Sequence, residues 1–334
     1  MFFKGCVEKG SLMLAERLNS SVIAQIAALW DRNDYAVSIA PDILRRHIAW
    51  KYAAGRAVIF TECYKGRILA TTGYFNGLLW AGKKIVKAGW GVDSLVDRAL
   101  RGKRVFLFLK VLRATLKSPE HELVLAFPGK ATVKTFLKTG WKLLDGFWRL
   151  RLRLAGRRDA RPLLRGVTLT WDNTVDWQEV EALFDRVKGR FSIIPWRDAG
   201  YCRWRYEKCP SRTYKVLRAY RDGVLIGFLV VRFNSKLEDQ TCYIIDILCD
   251  PQHKALISGL IAELVAKCPG HKVAEVVTVL TDKRFLEVFQ KEGFVRQKKE
   301  VVLLWLKNER VRKIFTQDLF RVHVTMSDGD YDME

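Results

Sequence analysis

Acidic residues are scarce in the first half of this chain: residues 1–165 hold 12 Asp and Glu against 31 Lys and Arg. No run approaches the roughly 18 consecutive apolar residues of a membrane-spanning helix. The opening residues, Met1 to Cys6, lack the basic-then-apolar layout of a secretory leader. The seven cysteines, at positions 6, 63, 202, 209, 242, 249 and 268, contain no Cys-x-x-Cys pair and are odd in number. That argues against a disulfide framework and for a reducing, cytoplasmic setting. His47, His121, His253, His271 and His323 have no His-x-x-x-His or Cys/His ligand spacing, so no metal site is expected. A Gly-x-Ser-x-Gly elbow and a Walker loop are also missing, which disfavours serine hydrolase and nucleoside-triphosphatase chemistry.

What remains is 334 residues, 49% apolar and 12% aromatic, enough for one large core or two ordinary ones. The net charge of +22 divides into +19 for residues 1–165 and +3 for residues 166–334. An asymmetry of that kind suggests that the first half meets something anionic, whether a polyphosphate cofactor, a nucleic acid or an acidic lipid surface. The alternative is a basic background without function.

Two short patterns recur at one offset. Asp93-Ser94-Leu95-Val96-Asp97 is matched by Asp246-Ile247-Leu248-Cys249-Asp250, and Phe136-Leu137-Lys138-Thr139-Gly140-Trp141 by Phe289-Gln290-Lys291-Glu292-Gly293-Phe294, both 153 residues apart. Preservation of the spacing between patterns points to a duplication. Hydrophobic periodicity predicts the same order of elements in each half: two helices, a three-strand meander, then helix, strand, helix and strand. In the first half these are helices over 20–30 and 41–52, strands over 57–63, 67–74 and 89–96, a helix over 100–116, a strand over 122–127, a helix over 130–139 ended by Gly140, and a strand over 147–154. The charged Arg157 to Pro162 segment reads as a link. The expected division is 1–160, 166–326 and an acidic tail over 327–334, whose simplest reading is a frayed end.

Between the strand ending at Asp97 and the following helix lies Arg98-Ala99-Leu100-Arg101-Gly102-Lys103-Arg104. A strand that opens into a helix through a short basic turn aims unpaired amides at the loop and attracts an anion. Three or four charge-assisted contacts of about 1.5–3 kcal/mol each would hold a diphosphate, and Gly102 would allow close backbone approach. An ordinary exposed basic helix start fits the same residues. The stretch Phe106 to Arg113 suits either a core-facing helix or a basic amphipathic one on a membrane surface.

Together these features resemble the GNAT superfamily of acyl-CoA-dependent N-acyltransferases, in tandem over nearly the whole chain. The resemblance rests on Asp93 to Asp97 as central strand, on Arg101-Gly102-Lys103-Arg104-Val105-Phe106 as acyl-CoA loop, and on Phe136 to Trp141 as closing helix end. It implies an α/β (α+β) chain of two domains, each a mixed, mostly antiparallel twisted sheet flanked by helices. Leu95, Val96, Arg101, Gly102, Lys103, Arg104, Val105 and Phe106 would bind acetyl-CoA or another acyl-CoA, with strands 89–96 and 122–127 parting to admit the pantetheine arm. Arg104 and Phe106 depart from the family's Arg/Gln-x-x-Gly-x-Gly/Ala pattern. Phe136 and Phe289 stand where many members carry a tyrosine acid, which leaves direct attack of an amine on the thioester. Asp93 and Glu62 are the candidate bases, each with an ion pair as its alternative.

The second copy has Pro251-Gln252-His253-Lys254 in place of the basic loop and is expected to bind no acyl-CoA. The segment Arg197 to Tyr206 resembles a helix of bacterial tandem GNAT-like proteins, some linked to cell-surface polysaccharide synthesis. Trp204, Arg205 and Tyr206 would then meet a saccharide or amino-sugar acceptor, or else pack between domains. The acidic tail would complement the basic half or approach the acceptor amine. Two other functions stay open: a Fem-type transferase using aminoacyl-tRNA, which would suit the basic half, and a catalytically silent binding or scaffold protein.

Overall fold

The computed structural model describes residues 11–15, 18–35, 39–53, 55–101, 105–116, 121–144, 147–155, 164–172, 175–236, 239–299, 302–306, 313 and 322–328. In the first half the elements run β1 (Ser11–Ala15), α1 (Ser20–Asp31), α2 (Pro41–Lys51), β2 (Ala57–Tyr64), β3 (Arg67–Ala81), β4 (Lys84–Val96), α3 (Val105–Leu116), β5 (Leu123–Ala126), α4 (Lys130–Lys138), β6 (Lys142–Leu144) and β7 (Trp148–Arg153). The second half follows with β8 (Thr168–Asp172), α5 (Trp177–Val187), β9 (Ile193–Pro195), α6 (Ala199–Cys202), β10 (Lys215–Arg221), β11 (Val224–Lys236), β12 (Asp239–Cys249), α7 (Lys254–Lys267), β13 (Glu275–Leu280), α8 (Lys283–Lys291), β14 (Val295–Lys299) and β15 (Val302–Leu306).

Local chemistry sets the boundaries. Asn19 caps α1 by accepting from the Val22 amide at 2.9 Å, and Pro41 opens α2 with its φ already helical. Asp282 caps α8 through the Arg284 amide at 2.9 Å. Gly140 and Gly293 end the equivalent helices α4 and α8 at φ of +91° and +88°, a conformation that costs glycine nothing. The recurrence of that stop at one offset is the duplication seen in backbone form.

Two mixed sheets result. One runs β1-β2-β3-β4-β5-β15-β6 with β9 attached to β3, and the other β14-β7-β13-β12-β11-β10-β8. Each sheet takes a strand from the other half. β7 of the first half lies between β13 and β14, while β15 of the second lies between β5 and β6. β7 alternates apolar and basic residues while β15 is apolar on both faces, and neither pattern says which sheet the strand joins.

In the first sheet α1 and α2 cover one face, over Ile59, Phe75, Leu79, Trp90, Val92 and Leu125. The other face carries Phe60, Ala70, Tyr74, Val124 and Ala126 against Leu107, Val111 and Leu112 of α3 and Phe136 of α4. One larger core, centred on Phe184, Phe228, Ile245, Leu260 and Phe289, holds the second half. No helix among the described residues is long and apolar enough to cross a membrane.

Candidate active site

The middle of the first sheet is where β4 and β5 run parallel. Their ladder has four rungs, from Ala88 opposite Leu123 to Gly91 opposite Ala126. Beyond Gly91, β4 continues to Val96 paired with β3, and no described strand pairs with its other edge. Glycine relieves crowding at the fork: a Cβ on Gly91 would lie 3.0 Å from the Ala126 Cβ, so the neighbour would have to shift. Just past it the register against β3 shifts between Thr71 and Gly73, and Asp93 takes a left-handed φ of +50°. This bulge is pinned by Thr71 Oγ1 donating to the Asp93 carbonyl at 2.8 Å and by Thr72 and Ser94 hydroxyls 2.8 Å apart.

Asp93 points toward the helices of the α1/α2 face. Its carboxylate accepts from Lys51 Nζ at 3.0 Å, from Tyr35 Oη at 3.2 Å and, in a short bond, from Tyr52 Oη. The Lys51 and Asp93 side chains are 1% and 0% exposed. A carboxylate so enclosed fixes α2 to the bulge, which is the ion-pair alternative for this residue. Glu62 belongs to the opposite face. It lines up through Ala70 with Val96, pairs with Lys110 of α3 at 2.6 Å, and leaves Oε2 buried without a hydrogen-bond partner. The two sequence-predicted bases are not brought together.

At the far end of β4, Leu95 packs toward α1 and α2 and Val96 toward α3. Asp97 closes the strand. Burial pushes its carboxyl up, but the Ala99 amide at 3.1 Å, Arg32 at 2.9 Å and Arg67 at 2.8 Å outweigh that and hold its pKa below the ordinary value. Arg101 is exposed; its guanidinium donates to Asn33 and to the Val96 carbonyl. Gly102, Lys103 and Arg104 lie outside the described residues, as do the side chains of Val105 and Phe106. Phe136 is buried edge-on to Phe108 and Trp141 and brings no acid to the site.

The second copy repeats the geometry with different occupancy. β12 and β13 pair from Thr241–Glu275 to Ile244–Thr278 and then part, next to a bulge opposite Val230 and Val231. Here the gap is filled by residues 322–328. The His323 amide donates to the Ile193 carbonyl and its Nε2 to the Ile247 carbonyl, both at 2.8 Å. Thr281 Oγ1 donates to the Val322 carbonyl and accepts from the Val324 amide. Thr325 Oγ1 reaches Asp246 at 3.0 Å, and Arg197 reaches Asp246 at 2.7 Å, Ser327 Oγ at 3.0 Å and Asp328 at 2.9 Å. Burial raises the Asp246 carboxyl and the Arg197 guanidinium more than reverses this, leaving it below its usual range. Asp328 is shifted up, chiefly by burial. The tail's first two residues are thus fixed, not frayed.

Trp204, Arg205 and Tyr206 sit at the seam between the halves, all buried. Trp204 stacks on Trp50 with centroids 4.8 Å apart, and each indole N–H donates to the other's backbone carbonyl, at 3.0 and 3.3 Å. Arg205 donates to the Ser327 carbonyl, and Tyr206 Oη to Asp246 at 2.6 Å. These contacts take up the side chains expected to meet a saccharide and place them in interdomain packing. Trp50-Lys51-Tyr52 and Trp204-Arg205-Tyr206 are equivalents at an offset of 154, and the Tyr–Asp bond occurs in both copies. That third recurring pattern, together with Lys51 and Arg197 as charge partners, escaped the sequence reading although its signal was there. No cluster of metal-ligating side chains is present among the described residues.

Comparison with known structures decides the fold. A GCN5-related N-acetyltransferase from Anabaena variabilis superposes with a TM-score of 0.66 at 9% identity, covering 90% of this chain and 74% of that one. A tandem GNAT protein from the clavulanic acid biosynthesis pathway gives 0.60 at 14% identity, over 89% and 99%. The fold is that of the GNAT acyltransferases, present twice. Saccharomyces cerevisiae N-myristoyltransferase with bound myristoyl-CoA shares it too, with a TM-score of 0.59 at 13% identity over 90% and 84%. The model of the acetyltransferase (GNAT) family matches residues 177–294, within the second GNAT copy. Among curated proteins none matches the sequence.

Proposed function

We propose that this protein is an acyl-CoA-dependent N-acyltransferase whose first GNAT copy takes the thioester and whose second is braced shut. One observation carries the reading: two equivalent gaps differ in occupancy. In the second, residues 322–328 bond to β12 and to Ile193, running through Thr325 and ending in a 3-10 turn over Met326–Asp328. In the first, the edge of β4 past Gly91 has no described strand beside it, and the acyl-CoA arm would lie along that edge. Arg101, with Gly102, Lys103 and Arg104, would meet the diphosphate at the end of that edge, next to the helix start.

The chemistry is direct attack. The amine nitrogen forms a bond to the thioester carbonyl carbon, the C–S bond breaks, the pair leaves on sulfur, and the ammonium proton passes to solvent or to the thiolate. Asp93 is committed to Lys51, Tyr35 and Tyr52 and serves to hold the bulge that opens the gap. For acetyl transfer to a small amine or amino sugar the acceptor would approach along the seam. The test is calorimetric titration with acetyl-CoA and longer acyl-CoAs at low salt, followed by thiol release over a panel of amino sugars, polyamines and peptides. Saturable binding, weakened at least tenfold in Arg101→Glu/Lys103→Glu, is expected. Absence of binding, or a variant indistinguishable from the unaltered chain, overturns the assignment.

A further inference from the structure

The guest in the second gap is held in a manner that suits exchange. Its main chain is used first: Val322 forms a parallel bridge with Ile193, the His323 amide donates to Ile193, and the Val322 carbonyl and Val324 amide both bond to Thr281. Such contacts accept almost any sequence. Side chains then add selectivity at four positions. The His323 ring sits between Phe191 and Phe285, with centroids 5.0 and 4.8 Å away, and donates Nε2–H to the Ile247 carbonyl. Thr325, Ser327 and Asp328 follow at two, four and five residues on, and all three converge on Arg197 or Asp246.

The charge arrangement also permits release. Arg197 faces two carboxylates, Asp246 from its own copy at 2.7 Å and Asp328 from the guest at 2.8 Å. When Asp328 leaves, the buried Arg197 guanidinium keeps Asp246 as its counter-charge. Met326, itself fully buried, clusters with Val279, and Phe127 and Tyr243 pack against the pair. Phe127 follows directly on β5 of the first copy, so the occupant of one gap touches the wall of the other.

We infer that the gap between β12 and β13 is a binding site for a polypeptide segment that ends in a tight turn, filled in cis by residues 322–328, with a 3-10 turn over Met326–Asp328, and open to a peptide of like chemistry in trans. The matching peptide carries an imidazole or aromatic ring, a hydroxyl two residues later, and a hydroxyl and a carboxylate at four and five. A tethered segment has an effective concentration on the order of millimolar, so the unaltered chain resists micromolar peptide. Loosening the tethered copy tips the competition.

The experiment uses full-length Asp328→Asn protein and a fluorescent synthetic peptide of residues 320–334, in the natural sequence, with Asn at 328, and scrambled. Polarisation is expected to show saturable uptake of the natural peptide by the variant, one per chain and at least tenfold tighter than the other two, with none by the unaltered protein. Amide exchange at His323 and Val324 should quicken at least tenfold in the variant while β2 stays unchanged. Thr325→Val, which leaves both carboxylates on Arg197, must give the same uptake and covers a failure of the first variant to fold. Faster exchange without peptide uptake overturns the inference, as does unchanged exchange in both variants or equal binding of the scrambled peptide.

Discussion

Replacing Asp93 by Asn separates a structural from a catalytic carboxylate. Asn tolerates the left-handed φ of +50° at this position, so the bulge itself is preserved and only the charge is lost. Lys51 is then left as an ammonium at 1% exposure with no opposing charge from the bulge. Breaking a buried ion pair from one side costs about 3–5 kcal/mol. At roughly 2–4 °C per kcal/mol for a chain of this class, the melting temperature should fall by about 6–20 °C. Lys51→Met in the Asp93→Asn background removes the buried ammonium and should recover most of that loss, giving a large coupling in a double-mutant cycle. In the second copy Arg197 keeps Asp328, so Asp246→Asn should cost less than Asp93→Asn. Differential scanning calorimetry of the five proteins, with acyl-transfer rates on the same preparations, decides the matter. If Asp93→Asn melts with the unaltered protein while the rate drops by about 10²-fold or more, the size of a lost general base, the ion-pair account is refuted.

Trp50→Ala and Trp204→Ala should each cost about 3–5 kcal/mol, and the double variant should cost less than their sum by about 0.5–1.5 kcal/mol because the rings stack on each other; strict additivity in urea titrations would mean that the stack does not couple the halves. Burial, partly opposed by Asp282 and Asp246 and aided by Arg197, holds the His323 pKa below its usual value. The unfolded chain therefore binds a proton that the folded one refuses, and stability that is complete above about pH 6.5 falls as pH drops through it, by at most about 1.4 kcal/mol per unit. His323→Gln should flatten that part of the stability profile, and a profile with the same slope counts against the assignment. Gly91→Val crowds Ala126 at the fork; a loss of about 1–3 kcal/mol is expected, relieved by Ala126→Gly, and an unshifted melting temperature would show that the strands are not in contact there.

The duplication was legible because helix stops and the central strand are local events. Gly140 and Gly293 must be glycine-like to end their helices, and Asp93 and Asp246 recur because each takes a tyrosine from the preceding helix. The positions of the helices and most strands follow from apolar period alone. Other features were decided by the assembled molecule. Nothing in Trp148–Arg153 or Val302–Leu306 distinguishes one sheet from the other. Asp93 could be read as a base or as one half of an ion pair, because its partner Lys51 lies 42 residues away on another element. Ser327 and Asp328 resembled the start of a loose tail, because the guanidinium that orders them is more than 120 residues earlier. Sequence shows that residues are polar; only the fold shows which of them meet.

The traded strands have a consequence for how such a molecule came about and how it can be handled. A homodimer whose subunits each lent the last strand to the other, related by a twofold axis through a tryptophan pair, would look like this once its genes were joined end to end. Severing the connection near residue 160 would thus leave two interlocked pieces, and neither piece expressed alone would have a complete sheet to fold around.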